Sequence, residues 1–161
     1  IDVDFLCKLG EEFYHLYKDC GVNKVLTIEA SGIGIATLTA QFFHCPLVFA
    51  KKTKTNNIYG DVYTSKVDSY THGTTYDIVV SKQFLLPTDR VLIIDDFLAK
   101  GSALNALISL VKDAGATVVG AGIVIEKAYQ PGGKLIRDMG VRVESLARIA
   151  SMSVEDGIRF C

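Results

Sequence analysis

An α/β fold with a mostly parallel, doubly wound sheet is predicted by three observations. Short apolar runs alternate with segments of helical periodicity along the whole chain. Thr117 to Ile125 is apolar without a polar alternation, as expected of a strand covered on both faces. The run Val91-Leu92-Ile93-Ile94 ends in two carboxylates, crosses a short glycine-containing loop and enters a helix at Ser102.

The elements follow in order. Phe5, Leu6, Leu9, Phe13, Leu16 and Tyr17 share one face of a helix over residues 3 to 17, which Gly21 ends. Lys24 to Ile28 reads as a strand with Ser31-Gly32 as its exit turn, and a helix runs from Ile33 to Phe43. Pro46 opens a short strand, Leu47 to Ala50. Residues 51–75 are polar and long for a connection; alternation from Tyr59 to Tyr70 supports a hairpin only weakly. Asp77 to Val80 is a strand, and Pro87-Thr88-Asp89 turns the chain into the strand Val91 to Asp95. Leu104, Leu107, Ile108 and Val111 line a helix from Ser102 to Ala114, with Gly115 as its stop. After Thr117 to Ile125, Pro131-Gly132-Gly133 breaks the chain before a short helix to Met139. Val141 to Ile149 is the last predicted strand.

A chain of 161 residues has the length of one domain, and 49% hydrophobic content suits a buried core. The net charge of −1 gives no basic surface for nucleic acid, and no apolar stretch approaches a bilayer span. Cys7, Cys20, Cys45 and Cys161 lack zinc-like spacing and read as reduced thiols of a cytoplasmic protein. His15, His44 and His72 have no Ser, Cys or Asp at the spacing of a nucleophilic triad. The chain opens at Ile1, inside a helical pattern, so an N-terminal segment is expected to be missing.

The most informative segment is Asp95-Asp96-Phe97-Leu98-Ala99-Lys100-Gly101-Ser102. Carboxylates at the carboxyl edge of a parallel sheet lie where ligands of such folds bind. The loop amides and the helix start supply N–H donors and a positive dipole end for a phosphate. The spacing matches neither a Walker loop nor the G-x-G-x-x-G pattern. Acids beside a phosphate cradle point to a phosphorylated sugar.

Val91 to Ser102 resembles the phosphoribosyl pyrophosphate (PRPP) motif of the type I phosphoribosyltransferases. Thr27 to Gly32, Gly122 to Lys127 and Arg142 to Ile149 resemble the bacterial xanthine phosphoribosyltransferases, and the similarity runs along nearly the whole chain. The resemblance implies the type I phosphoribosyltransferase fold over residues 1–161, a mostly parallel sheet flanked by helices. A flexible lid is expected at about 51–75, with a small hood whose N-terminal part is missing. It implies purine salvage: magnesium-dependent transfer of the 5-phosphoribosyl group from PRPP to xanthine, giving xanthosine 5′-monophosphate and pyrophosphate. It also implies a homodimer.

By the same resemblance, Asp95 and Asp96 bind the ribose hydroxyls and favour a cationic ribosyl group. Ala99, Lys100, Gly101, Ser102 and Ala103 cradle the 5′-phosphate, Lys100 through its ammonium or only its backbone. Ser31, Gly32 and Lys52 fall at the pyrophosphate, with Lys51 beside them. Lys127 meets the exocyclic oxygen of a 6-oxopurine; its plain alternative is a surface lysine paired with Glu126. Mg2+ is expected to arrive on PRPP, with no dedicated protein cage. Two other readings stay open: a hypoxanthine or guanine phosphoribosyltransferase, and a PRPP-sensing purine repressor of the same fold. Lys127 and the near-zero charge oppose the repressor. Asp95, taken as an exposed-edge carboxylate, is expected to matter little to folding.

Overall fold

The computed structural model describes residues 1–52, 60–69 and 74–161. Helix α1 spans Val3–Tyr17, with the Asp2 carboxylate accepting from the Phe5 amide at 2.9 Å as its N-cap. Then come β1 (Lys24–Ile28), α2 (Gly32–Phe43) and β2 (Leu47–Ala50). A hairpin of β3 (Val62–Ser69) and β4 (Thr74–Ser81) follows. The chain continues through β5 (Arg90–Leu98), α3 (Ser102–Asp113), β6 (Thr117–Lys127), α4 (Gly132–Asp138), β7 (Val143–Ser153) and β8 (Gly157–Phe160).

The main sheet has the order β2-β1-β5-β6-β7-β8, and every pairing is parallel except β7 with β8. Each parallel step needs a crossover, and helices cover both faces. On one face Leu92 and Ile94 of β5 pack with Phe13 and Tyr17 of α1 and Ile35 of α2. On the other, Val91 and Ile93 pack with Leu104, Leu107 and Val111 of α3. Strand alternation sends neighbours to opposite faces, so an uninterrupted apolar run is what this strand requires. The Tyr17 hydroxyl donates to the Ala121 carbonyl at 3.0 Å and ties α1 to β6. No helix among the described residues is long and apolar enough to cross a membrane.

Several expectations need adjusting. The weak hairpin is present, in strands that also absorb the strand expected at 77–80. It packs over α3: Val67 and Ile78 are buried in the same core as Leu104, so periodic packing residues were hidden among Lys, Thr and Ser. Of the lid expected at 51–75, residues 53–59 and 70–73 lie outside the described residues. Strand β5 continues past the acid pair to Leu98, and β7 continues past Ile149 to Ser153. Strand β8 was not expected: its four residues are exposed on both faces, and the alternation Ile158-Arg159-Phe160 is short.

Candidate active site

The carboxyl ends of β5 and β6 and the loop after β5 enclose a cavity of about 420 Å³. Cross-strand register places Asp95 opposite Ile123 and Phe97 opposite Ile125. Lys127 lies two residues beyond Ile125, on the face shared by Phe97. Asp95, Phe97 and Lys127 all line the cavity, together with the whole loop Ala99 to Ala103. Two separate stretches of sequence, 95–103 and Lys127, therefore meet at one edge of the sheet.

The loop is built to present backbone donors. Gly101 sits at the cap of α3 with φ of 86°, a conformation in which a Cβ is strained. The first helical bond runs from the Asn105 amide to the Gly101 carbonyl at 2.8 Å. The amides of Ser102, Ala103 and Leu104 precede it and have no partner within the helix. The cap position supplies no side-chain hydrogen bond. These donors and the positive end of α3 form an anion cradle in the cavity wall.

Asp95 is 5% exposed, so the exposed-edge expectation is corrected. Burial, and then the adjacent Asp96 carboxylate, push its carboxyl up to about 8, while Lys52 pulls the other way. The Asp96 amide donates to Asp95 Oδ1 at 3.0 Å. Asp96 itself is half-buried and lies outside the cavity wall. The pair is thus asymmetric, because successive side chains of a strand take opposite faces.

Ser31 and Gly32 follow β1 and Lys52 follows β2; none of the three lines the cavity. The peptide between Glu29 and Ala30 is cis. Glu29 Oε1 accepts from the Lys52 amide at 2.7 Å, which joins this loop to the exit of β2. A Cβ at Gly32 would stand 2.2 Å from Thr27 Oγ1 and 3.6 Å from Asp95 Oδ1. Only glycine permits that approach. The buried Thr27 hydroxyl has no hydrogen-bond partner among the described residues. Lys52 Nζ lies 5.8 Å from the centroid of the Tyr76 ring, and Tyr76 lines the cavity.

Lys127 does not pair with Glu126. Its Nζ lies 4.9 Å from the centroid of the Phe97 ring, a cation–π distance, and Phe97 is 40% exposed. Glu126 points to the opposite side and bonds Arg137. Phe97 and Tyr76 are among the cavity residues that carried no functional expectation. Phe97 is detectable as the residue two beyond Asp95, on the same strand face. Tyr76 reaches the site only through the β3–β4 hairpin, whose placement no local pattern reveals.

An acid at a parallel sheet edge, an anion cradle and a lysine on an aromatic ring define a class that handles phosphorylated sugars and a planar co-substrate. The chain belongs to the phosphoribosyltransferase family: the phosphoribosyl transferase domain matches residues 12–148. Its relatives include the xanthine phosphoribosyltransferase of Lachnoclostridium phytofermentans, 55% identical over 157 residues, covering 98% of this chain and 81% of that protein. The xanthine phosphoribosyltransferase of Ruminiclostridium cellulolyticum is 49% identical, covering 94% of this chain and 80% of that protein. Among solved structures, the adenine phosphoribosyltransferase of Thermoanaerobacter pseudethanolicus shares the fold with a TM-score of 0.80. It is 21% identical and covers 91% of this chain and 82% of that one.

Proposed function

We propose that the chain is a xanthine phosphoribosyltransferase of purine salvage. It transfers the 5-phosphoribosyl group of PRPP to xanthine, forming xanthosine 5′-monophosphate and pyrophosphate. The observation that carries this reading is the single cavity joining Asp95, the Ala99–Ala103 cradle and Lys127. The two xanthine-named relatives, each covered over at least 80% of its length, support the choice of base.

The reaction needs alignment and charge stabilisation rather than a covalent enzyme intermediate. The 5′-phosphate sits on the amides of Ala99 to Ala103, with the Ser102 hydroxyl and Lys100 in the same wall. Asp95 lines the cavity and holds the ribose hydroxyls, and Asp96, outside that wall, supports it through its amide hydrogen bond to Asp95 Oδ1. As the bond to pyrophosphate breaks, the ribose gains positive charge. Asp95 faces that charge as a carboxylate once its proton has been released to solvent, and this anion stabilises the cationic sugar. Ser31, Gly32 and Lys52 receive the departing pyrophosphate.

Lys127 donates to the exocyclic oxygen at C6 of xanthine, and Phe97 offers a flat apolar face beside it. An amino group at that position would oppose donor to donor, which disfavours adenine. Among the described residues no three His, Cys, Asp or Glu side chains gather into a metal cage. The carboxylates of Asp95 and Asp96 would suit a hard cation such as magnesium carried by PRPP, which would neutralise pyrophosphate charge.

We further infer that residues 1–161 act as one phosphoribosyltransferase domain, in the cytoplasm and as a homodimer. The continuous main sheet supports the first inference and the four free cysteines the second. The third follows the family resemblance. The function is tested by incubating the protein with PRPP, magnesium and xanthine and resolving the nucleotide formed. Xanthosine 5′-monophosphate in equal yield with pyrophosphate supports it; PRPP binding without turnover on any purine favours the regulator.

A further inference from the structure

Glu126 is 2% exposed, and both of its carboxylate oxygens are engaged. Arg137 grips it with both guanidinium arms, Nη1 to Oε1 at 2.7 Å and Nη2 to Oε2 at 2.8 Å. The Ser145 hydroxyl donates to Oε2 at 2.6 Å, and Arg148 Nε lies 3.4 Å from the same oxygen. The register of β6 with β7 sets Glu126 directly opposite Arg148. None of these groups lines the cavity.

The cluster nevertheless reaches the cavity through two glycines. A Cβ at Gly133 would stand 2.1 Å from Glu126 Oε1, so the backbone of α4 rests on the carboxylate. The neighbouring Gly132 amide donates to the Ala99 carbonyl at 3.0 Å. A Cβ at Gly132 would lie 2.4 Å from that carbonyl oxygen and 2.6 Å from the Gly101 amide nitrogen. A continuous path of contacts thus runs from Arg137 and Arg148 through Glu126, Gly133 and Gly132 to the phosphate loop.

We propose that Glu126 is a positioning residue for PRPP, which fixes the Gly132-Gly133 turn against Ala99–Gly101 so that the loop amides converge on the 5′-phosphate. The inference rests on the phosphoribosyl-transfer reading of the cavity. Anion cradles depend on donor placement to a fraction of an ångström, so loosening the support weakens binding without removing any group that touches the ligand. Lys127, on the other face of β6, keeps its contact with Phe97 when Glu126 is altered. PRPP affinity and base recognition are therefore expected to separate.

The test is calorimetric titration of magnesium–PRPP into the parent protein, E126Q and R137K, alongside steady-state KM for xanthine. E126Q keeps the shape and removes the charge; R137K keeps the charge and removes the fork. The expected result is about a ten-fold weaker PRPP Kd for E126Q and a smaller loss for R137K. The xanthine KM should stay within about three-fold in both. If E126Q fails to fold, R137K alone decides. Variants that lose thermal stability but bind PRPP within about two-fold of the parent overturn the proposal and make the cluster purely structural. A parent that binds no PRPP overturns the transfer reading itself, and this inference with it.

Discussion

Lys127 Nζ rests 4.9 Å from the centroid of the Phe97 ring, although 29 residues separate the two in the chain. Parallel pairing of β5 with β6 creates the contact, and it leaves an ammonium and an aromatic face on one wall of the cavity. Lys127→Ala is expected to raise the xanthine KM about ten-fold or more, since a charge-assisted hydrogen bond is lost. PRPP affinity should hold. Phe97→Ala should raise the base KM by a smaller factor. Steady-state kinetics with each substrate varied in turn checks both, and an equal loss of PRPP affinity in Lys127→Ala would count against its contact with the base.

Asp95→Asn is expected to separate activity from stability. The folded protein raises this carboxyl from its ordinary 3.8 to about 8. Between those values the folded chain holds a proton that the unfolded chain has released, so the group's contribution to stability falls as pH rises through that window. Asparagine never ionises and removes this slope. The variant should melt at or above the parent Tm at pH 8.5, higher by roughly 3 °C for each 1 kcal/mol recovered. Turnover should fall by about a hundred-fold or more. Thermal melts from pH 5 to 9, with parallel rate measurements, test both parts.

Glu126 has the opposite pH signature. The hydrogen bonds from Arg137 hold its carboxyl below the ordinary 4.5, despite burial. Its stabilising contribution is therefore complete above that value and is lost as pH falls through the depressed one. Acid unfolding of the parent should steepen below pH 4.5, and E126Q should show a shallower acid limb. Tm against pH from 3 to 6 measures it; identical limbs would mean that the pair contributes nothing to folding.

Gly101→Ala tests the phosphate loop directly. The residue holds φ of 86°, and an added Cβ would lie 3.1 Å from Gly132 Cα. Backbone strain of about 1 kcal/mol or more is expected, and the loop relaxes by shifting. PRPP KM should rise by about ten-fold with little change in xanthine KM. Retained PRPP affinity would place the phosphate elsewhere.

The α/β order was legible because each strand of the parallel core is an apolar run and each helix has a one-sided stripe. Val91 to Ile94 and Leu104 to Val111 are the clearest cases. The residues expected at the sugar phosphate are also local, one strand end and its loop, so their shared wall followed from a single segment. What escaped were features set by tertiary pairing. Tyr76 enters the cavity through a hairpin written in polar residues. The Glu126–Arg137 pair joins β6 to α4, and nothing local distinguishes that glutamate from a surface partner for Lys127. The asymmetry of Asp95 and Asp96 depends on which strand face the cavity takes, which an adjacent pair does not reveal. Strand β8 buries nothing, and its Ile158-Arg159-Phe160 alternation is too short to mark a strand by itself.

The most direct test of the account is nucleotide formation with PRPP, magnesium and one purine at a time: xanthine, guanine, hypoxanthine or adenine. The account predicts xanthosine 5′-monophosphate and pyrophosphate in equal amounts, with xanthine preferred and adenine poorest. A clear preference for another base would contradict the assignment of xanthine. Tight PRPP binding with no product from any base would contradict the enzyme reading itself.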